Sequence, residues 1–65
     1  MANVGDKIQI ISMDGEPEYT GKIGTIEMID DAGQLHGTWG GLAVIPEADK
    51  YVIIEEANHE LQRTE

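Results

Sequence analysis

The sequence predicts a small all-β protein, built as a barrel of five short strands. Apolar runs rich in β-branched residues recur at spacings of roughly ten residues, which is typical of such barrels. Glycine-rich and aspartate-rich turn signals separate these runs, and no helical pattern occurs before residue 55. A closed barrel also removes the exposed sheet edges that promote aggregation. At 65 residues the chain is long enough for one domain only.

The first predicted strand covers residues 7–13 and follows a Gly-Asp turn signal. Its alternation places Ile8 and Ile10 on one face and Ile11 and Met13 on the other. Because both faces carry apolar residues, we expect this strand to be central or to be covered on its second side.

A hairpin is predicted at the centre of the chain. Ile26 and Met28 share the apolar face of its first arm, and Leu35 and Trp39 share that of its second arm. The Asp-Asp-Ala-Gly sequence at 30–33 supplies short polar side chains and a glycine that tolerates positive φ, as a turn requires. The four apolar residues are therefore expected to close the core.

Two further strands are predicted after the hairpin. The glycine pair 40–41 is a hairpin signal and leads into a strand at 42–45. Pro46 has no backbone N–H to donate, so it ends that strand, and 47–49 suits a short 3₁₀ turn. The apolar run 51–54 is the fifth strand.

These elements divide the chain into a barrel at 1–55 and an acidic tail at 56–65. The tail contains helix formers but only one bulky apolar residue, so it is expected to be a short helix or a disordered segment. The predicted core consists of ten residues: Val4, Ile8, Ile10, Ile26, Met28, Leu35, Trp39, Leu42, Val44 and Ile53.

Charge is the strongest compositional signal. Thirteen acidic residues against four basic ones give a formal net charge of −9. This field repels nucleic acid and anionic membranes and attracts basic partners. The chain has no cysteine, which excludes disulfides and a thiolate zinc site. It also lacks an apolar run of about 20 residues and a secretory signal pattern, so a cytoplasmic location is expected.

Five stretches and Trp39 resemble one family of short proteins, over about residues 4–54. The stretches are Val-Gly-Asp-Lys-Ile at 4–8, Ile-Ser-Met at 11–13, Gly-Lys-Ile-Gly-Thr-Ile at 21–26, Ile-Asp-Asp-Ala-Gly-Gln-Leu-His at 29–36 and Leu-Ala-Val-Ile-Pro at 42–46. The sequence is similar to an uncharacterised family of bacterial and phage-associated proteins, known only as a domain of unknown function. The resemblance implies an SH3-like barrel of the KOW kind and supplies no catalytic residues. Gly37 departs from it, because an apolar residue is expected beside Trp39, and this predicts a thinner core or a bulge there.

Phosphate binding and nucleophilic catalysis lack the residues they need. Five residues rather than four separate Gly15 from Gly21, and Ile23 occupies the position at which a phosphate-binding loop carries its hydroxyl. Ser12 has no histidine near it in the sequence. We therefore expect a protein that is not an enzyme and that uses no cofactor.

Metal binding is also weakly supported. Asp30 and Asp31, with Glu27 nearby, offer oxygen ligands, but they do not follow the calcium-loop pattern and are better explained by a turn. His36 and His59 lie 23 positions apart, and His36 is expected to be an exposed strand residue.

The loop at 14–21 is the preferred interaction site. It combines three carboxylates with an aromatic residue and follows the first strand, and in SH3-like barrels the groove beside this loop often binds extended peptides. Trp39, in contrast, is expected to be a core residue. The predicted surface for a basic protein partner consists of Asp14, Glu16, Glu18, Tyr19 and Tyr51.

Two alternatives remain open. The resemblance suggests an RNA-associated or ribosome-associated module of the KOW kind, which requires Lys7, Lys22 and Lys50 to converge on one face. The acidic surface also suggests a nucleic-acid mimic that occupies a DNA-binding protein, which requires carboxylates in a rough double row.

Overall fold

The structure is a computed structural model that describes residues 1–57. Its described residues form an open antiparallel sheet with the strand order β3-β2-β1-β4. A single 3₁₀ helix, Pro17–Tyr19, interrupts the loop after the first strand. The strands are β1 (Lys7–Ser12), β2 (Ile23–Ile29), β3 (Leu35–Gly37) and β4 (Lys50–Glu55).

The all-β class is confirmed, but the described residues contain four strands instead of five, and the sheet does not close. Residues 42–45 form only an isolated bridge, in which Val44 and Leu35 exchange backbone hydrogen bonds of 2.8 and 2.9 Å. Pro46 then prevents further pairing because it has no N–H group. Within residues 1–57, β3 and β4 are not paired with each other.

The predicted tail at 56–65 falls mostly outside the described residues. Glu56 and Ala57 follow β4 without helical structure. Residues 58–65 lie beyond the part of the chain that the structure describes, and the predicted domain division at residue 55 stays a prediction.

Strand β2 pairs with a different neighbour along each half. Ile23–Thr25 lies opposite Gln9–Lys7 of β1, and the second half lies opposite β3. The pairing with β3 shifts by one residue between Ile26 and Met28. This bulge turns Met28 outward, so the prediction that Met28 is a core residue is wrong.

A second register shift corrects the prediction for β1. Ile10 pairs with Tyr51, but Ser12 pairs with Lys50, so Ile11 is an extra residue in the ladder. The shift reverses the alternation beyond Ile11, and Met13 therefore joins the core instead of lying on the opposite face.

The buried apolar core comprises seven residues: Ile8, Ile10, Met13, Ile26, Leu35, Trp39 and Val44. Ile53 is half-buried against it. Val4 and Leu42 are exposed, contrary to prediction. Val4 precedes the first strand. The side chain of Leu42 faces solvent, but its backbone is anchored by two hydrogen bonds. The C=O of Leu42 accepts one of 2.8 Å from the indole Nε1 of Trp39, and its N–H donates one of 3.0 Å to the hydroxyl of Tyr19.

Trp39 is buried, as predicted, and Gly37 makes room for it. A Cβ atom at Gly37 would collide with the Trp39 ring and with the backbone oxygen of Thr25. Gly37, where an apolar residue was expected, is therefore the position over which the Trp39 indole packs.

Candidate interaction pocket

An open pocket of about 280 Å³ lies where β1 ends and the 42–49 segment crosses it. It combines carboxylates with aliphatic side chains, so it offers both charge and apolar contact. Nine residues line it: Met13, Asp14, Glu16, Gln34, Leu42, Ala43, Ile45, Ala48 and Asp49.

Asp49 holds the walls of the pocket together. Its Oδ1 accepts a hydrogen bond of 2.9 Å from the backbone N–H of Asp14, and its Oδ2 accepts one of 2.7 Å from that of Ile45. The backbone N–H groups of Ala48 and Asp49 also donate to the carbonyl of Ile45, which completes a tight turn. Asp49 is only 7% exposed, so both of its oxygens serve the scaffold.

Asp14 and Glu16 form the charged rim. Asp14 is exposed and Glu16 is half-buried, and among the described residues neither makes a salt bridge. A hydrogen bond to Glu18 and the negative charge of Glu18 raise the pKa of Glu16 above its ordinary value. The rim is therefore a place where negative charge is concentrated without a compensating cation.

The apolar part of the pocket comes from the 42–49 segment. Leu42 is 50% exposed and Ile45 is 38% exposed, while Met13 lies buried below them. Because the backbone of Leu42 is tied to Trp39 and Tyr19, its side chain is presented from a rigid support.

The structure divides the predicted surface. Asp14 and Glu16 line the pocket, and Glu18 stands beside Glu16 without lining it. Tyr19 packs against the core, and the ammonium group of Lys22 lies 5.6 Å from the centre of its ring. Tyr51 also packs against the core, opposite Ile10. Neither tyrosine lines the pocket.

Sequence reasoning did not single out Asp49, Leu42 or Ile45 as site residues. A signal for Asp49 is present, because an aspartate that follows a proline turn often caps nearby backbone N–H groups. Leu42 and Ile45 carry no comparable signal, since their alternation is that of an ordinary buried strand.

The three lysines required by the RNA-binding alternative do not all lie at one end of the sheet. Lys7 begins β1 and pairs with Glu55 at 3.4 Å, whereas Lys50 lies opposite Ser12 at the other end of the same strand pair. Because an extended strand rises about 3.4 Å per residue, the two ends of β1 lie about 17 Å apart. Lys22 lies over Tyr19. Lys7 and Lys50 are thus separated along the sheet, whereas the carbonyl of Lys22 accepts from the N–H of Ile10 near the Lys50 end.

The aspartate pair at 30–31 is part of a turn. Asp30 accepts hydrogen bonds from the backbone N–H groups of Ala32 and Gln34, and its Oδ2 lies 2.8 Å from His36 Nε2. Within residues 1–57, no three histidine or acidic side chains are grouped so that they could hold a metal ion. No helix in this part of the chain is long and apolar enough to cross a membrane.

These features define a small all-β domain with a four-stranded antiparallel sheet and an acidic, partly apolar pocket. The family model described as "Domain of unknown function (DUF4314)" matches residues 3–54, so the chain belongs to this family. The resemblance to a family of unknown function is thereby confirmed. No curated protein and no solved structure matches the chain.

Proposed function

We propose that this protein is a non-catalytic interaction module that binds a basic segment of a partner protein in the pocket. The observation that carries the proposal is the combination of the Asp14 and Glu16 carboxylates with exposed Leu42 and Ile45. Lysine and arginine have matching chemistry, because a long apolar stem leads to a cationic head. The stem would pack on the two aliphatic residues, and the head would face the carboxylates.

The size of the pocket supports side-chain recognition. At about 280 Å³ it lies at the lower limit of pockets that enclose a small molecule. It is also open to solvent on one side and lies beside the first long loop, where SH3-like barrels often bind extended peptides. This position favours one anchoring side chain from a longer segment.

Charge supports a basic partner. The net charge of −9 attracts cationic chains over a distance, which mainly raises the association rate. At the rim, a bound cation would relieve the repulsion that raises the pKa of Glu16. Binding would lower that pKa, so affinity should increase as the pH rises through the pKa of Glu16.

Peptide binding tests the proposal. Labelled nonapeptides with a central lysine or arginine are titrated with the full chain, and fluorescence anisotropy is measured at low and moderate salt. The double variant Asp14→Lys/Glu16→Lys should bind about tenfold more weakly or worse, because two attractive charges become repulsive.

The matched control is Glu27→Lys/Asp31→Lys, which changes the net charge equally at two exposed positions outside the pocket. It should lose much less affinity than the pocket variant. Equal losses in the two variants would show that only net charge attracts the peptide, and the proposed site would be wrong. Leu42→Ser should weaken the binding that persists at high salt, since it removes apolar contact.

A further inference from the structure

Among residues 1–57, strand β4 forms an edge of the sheet that no other segment covers. Along residues 50–55 it pairs with β1 on one side, and no described backbone group pairs with its other side. The opposite edge differs, because Leu35 of β3 is bridged to Val44. An unpaired strand edge presents N–H and C=O groups to any strand that can align with it.

The outer face of the sheet beside the open edge is apolar. Val52 is 44% exposed and Ile54 is 45% exposed, although both belong to a strand. Ile23 of β2, which is 51% exposed, lies in the same row as Val52, since both pair with Gln9. Charges that discourage pairing stand only at the two ends of β4 and are of opposite sign, and the ladder to β1 shifts by one residue at Ile54.

The charges make β4 complementary to itself. Lys50 begins the strand, whereas Glu55 ends it and is followed by Glu56. Two antiparallel copies place the start of one strand beside the end of the other, so each lysine faces an acidic end. A register with Ile53 on the two-fold axis also sets Val52 against Ile54 and Lys50 against Glu56.

We propose that the chain forms a two-fold symmetric homodimer through antiparallel β4–β4 pairing, which joins two four-stranded sheets into one. A second copy fits this edge better than the basic segment proposed for the pocket, because that segment would bring cations beside Lys50. The edge shares no residue with the pocket, so this inference does not depend on the proposed function.

Sedimentation equilibrium of the full chain tests the dimer. The measurement covers about 1 µM to 1 mM protein at pH 7 and about 0.15 M salt, where the Debye length of about 8 Å limits repulsion between the acidic copies. The wild type should change from monomer to dimer across this range. A wild type that stays monomeric throughout overturns the proposal.

A matched pair of variants locates the interface. Ile54→Lys places a charge on the open edge and should weaken dimerisation on the order of 100-fold. Ile23→Lys replaces an equally exposed aliphatic residue on β2, away from that edge, and should leave the dimer intact. Circular dichroism checks that both variants are folded. A dimer that resists Ile54→Lys, or one that Ile23→Lys disrupts equally, overturns edge pairing.

Charge exchange tests the antiparallel arrangement. The variant Lys50→Glu makes both ends of β4 acidic. The variant Glu56→Lys places a lysine at each end of the strand and leaves the Lys7–Glu55 pair intact. Each variant alone should dimerise roughly tenfold more weakly than the wild type, and an equimolar mixture should form a heterodimer of near wild-type affinity. Failure of the mixture to associate overturns the proposed self-complementarity.

Discussion

Acidic side chains behave in opposite ways in two loops of this protein. At the hairpin tip, residues 30–36, the hydrogen bond with His36 and the backbone N–H groups of Gln34 and Ala32 lower the pKa of Asp30. In the acidic loop, residues 14–18, the neighbour of Glu16 is another carboxylate, and the pKa of Glu16 is raised. The residue chemistry is almost the same, and the partners differ.

The difference separates scaffold from candidate site. Asp30 has its donors within the fold, so its charge is already stabilised and it closes the turn. Glu16 has no such donor and repels its neighbour, so an external cation would stabilise it. Asp49 resembles Asp30, because its two carboxylate oxygens accept hydrogen bonds from backbone N–H groups within the fold. One of these groups belongs to Asp14 of the acidic loop.

The largest effect is expected for Asp49→Ala. The substitution leaves the N–H groups of Asp14 and Ile45 without their acceptor, at about 1–3 kcal/mol each, so the free energy of unfolding should fall by about 2–6 kcal/mol. Urea denaturation followed by tryptophan fluorescence measures it. Asp49→Asn should lie between the wild type and Asp49→Ala, because one acceptor oxygen remains.

The control is Asp14→Ala, which removes an exposed carboxylate in the same pocket and should change stability little. If Asp14→Ala were as damaging as Asp49→Ala, the distinction between scaffold and rim carboxylates would fail.

A smaller, pH-dependent effect is expected for Asp30→Asn. The folded state lowers the pKa of Asp30 below the ordinary value of 3.8, so the ionised carboxylate stabilises the fold above that pH. This contribution is lost as the pH falls through the lowered pKa. Thermal denaturation should therefore show a midpoint for the variant that is a few degrees below that of the wild type at pH 7. The two midpoints should approach each other as the pH falls below 3.8 and should coincide below the lowered pKa of Asp30. A difference that persists at the lowest pH would contradict this account.

The smallest effects concern the pKa values themselves. His36→Ala removes the main cause of the lowered pKa of Asp30, so that pKa should rise. Glu18→Ala removes both the hydrogen bond and the neighbouring charge that raise the pKa of Glu16, so that pKa should fall. Titration of the side-chain carboxyl carbons by NMR measures both. Shifts in the same direction in the two variants would remove the contrast between the loops.

Local sequence patterns predicted much of the scaffold. Six of the ten predicted core residues are buried, because strand alternation reports directly which face of a strand is apolar. Two of the failures lie beside register shifts: Met28 follows one in β2 and Met13 follows one in β1. Val4 and Leu42, which were also predicted to be core residues, are exposed at positions outside the four strands. A bulge of one residue moves every later side chain to the other face, and its position depends on the partner strand.

The candidate site was less accessible to prediction. The acidic loop was identified from its composition, and two of its residues, Asp14 and Glu16, line the pocket. Tyr19 was identified for its aromatic ring, but its hydroxyl accepts a hydrogen bond from the backbone of Leu42, 23 positions away. Asp49 was overlooked because its partner Asp14 lies 35 positions away.

The amino-acid sequence alone determined the all-β class, the acidic character, the turn at Asp30 and the membership of Ile8, Ile10 and Trp39 in the core. These properties follow from composition and from neighbours a few residues apart. The tertiary structure decided the open four-stranded sheet, the register shifts and the pocket around Asp49. Each of these depends on contacts between segments far apart in the chain, and local periodicity carries no information about such contacts.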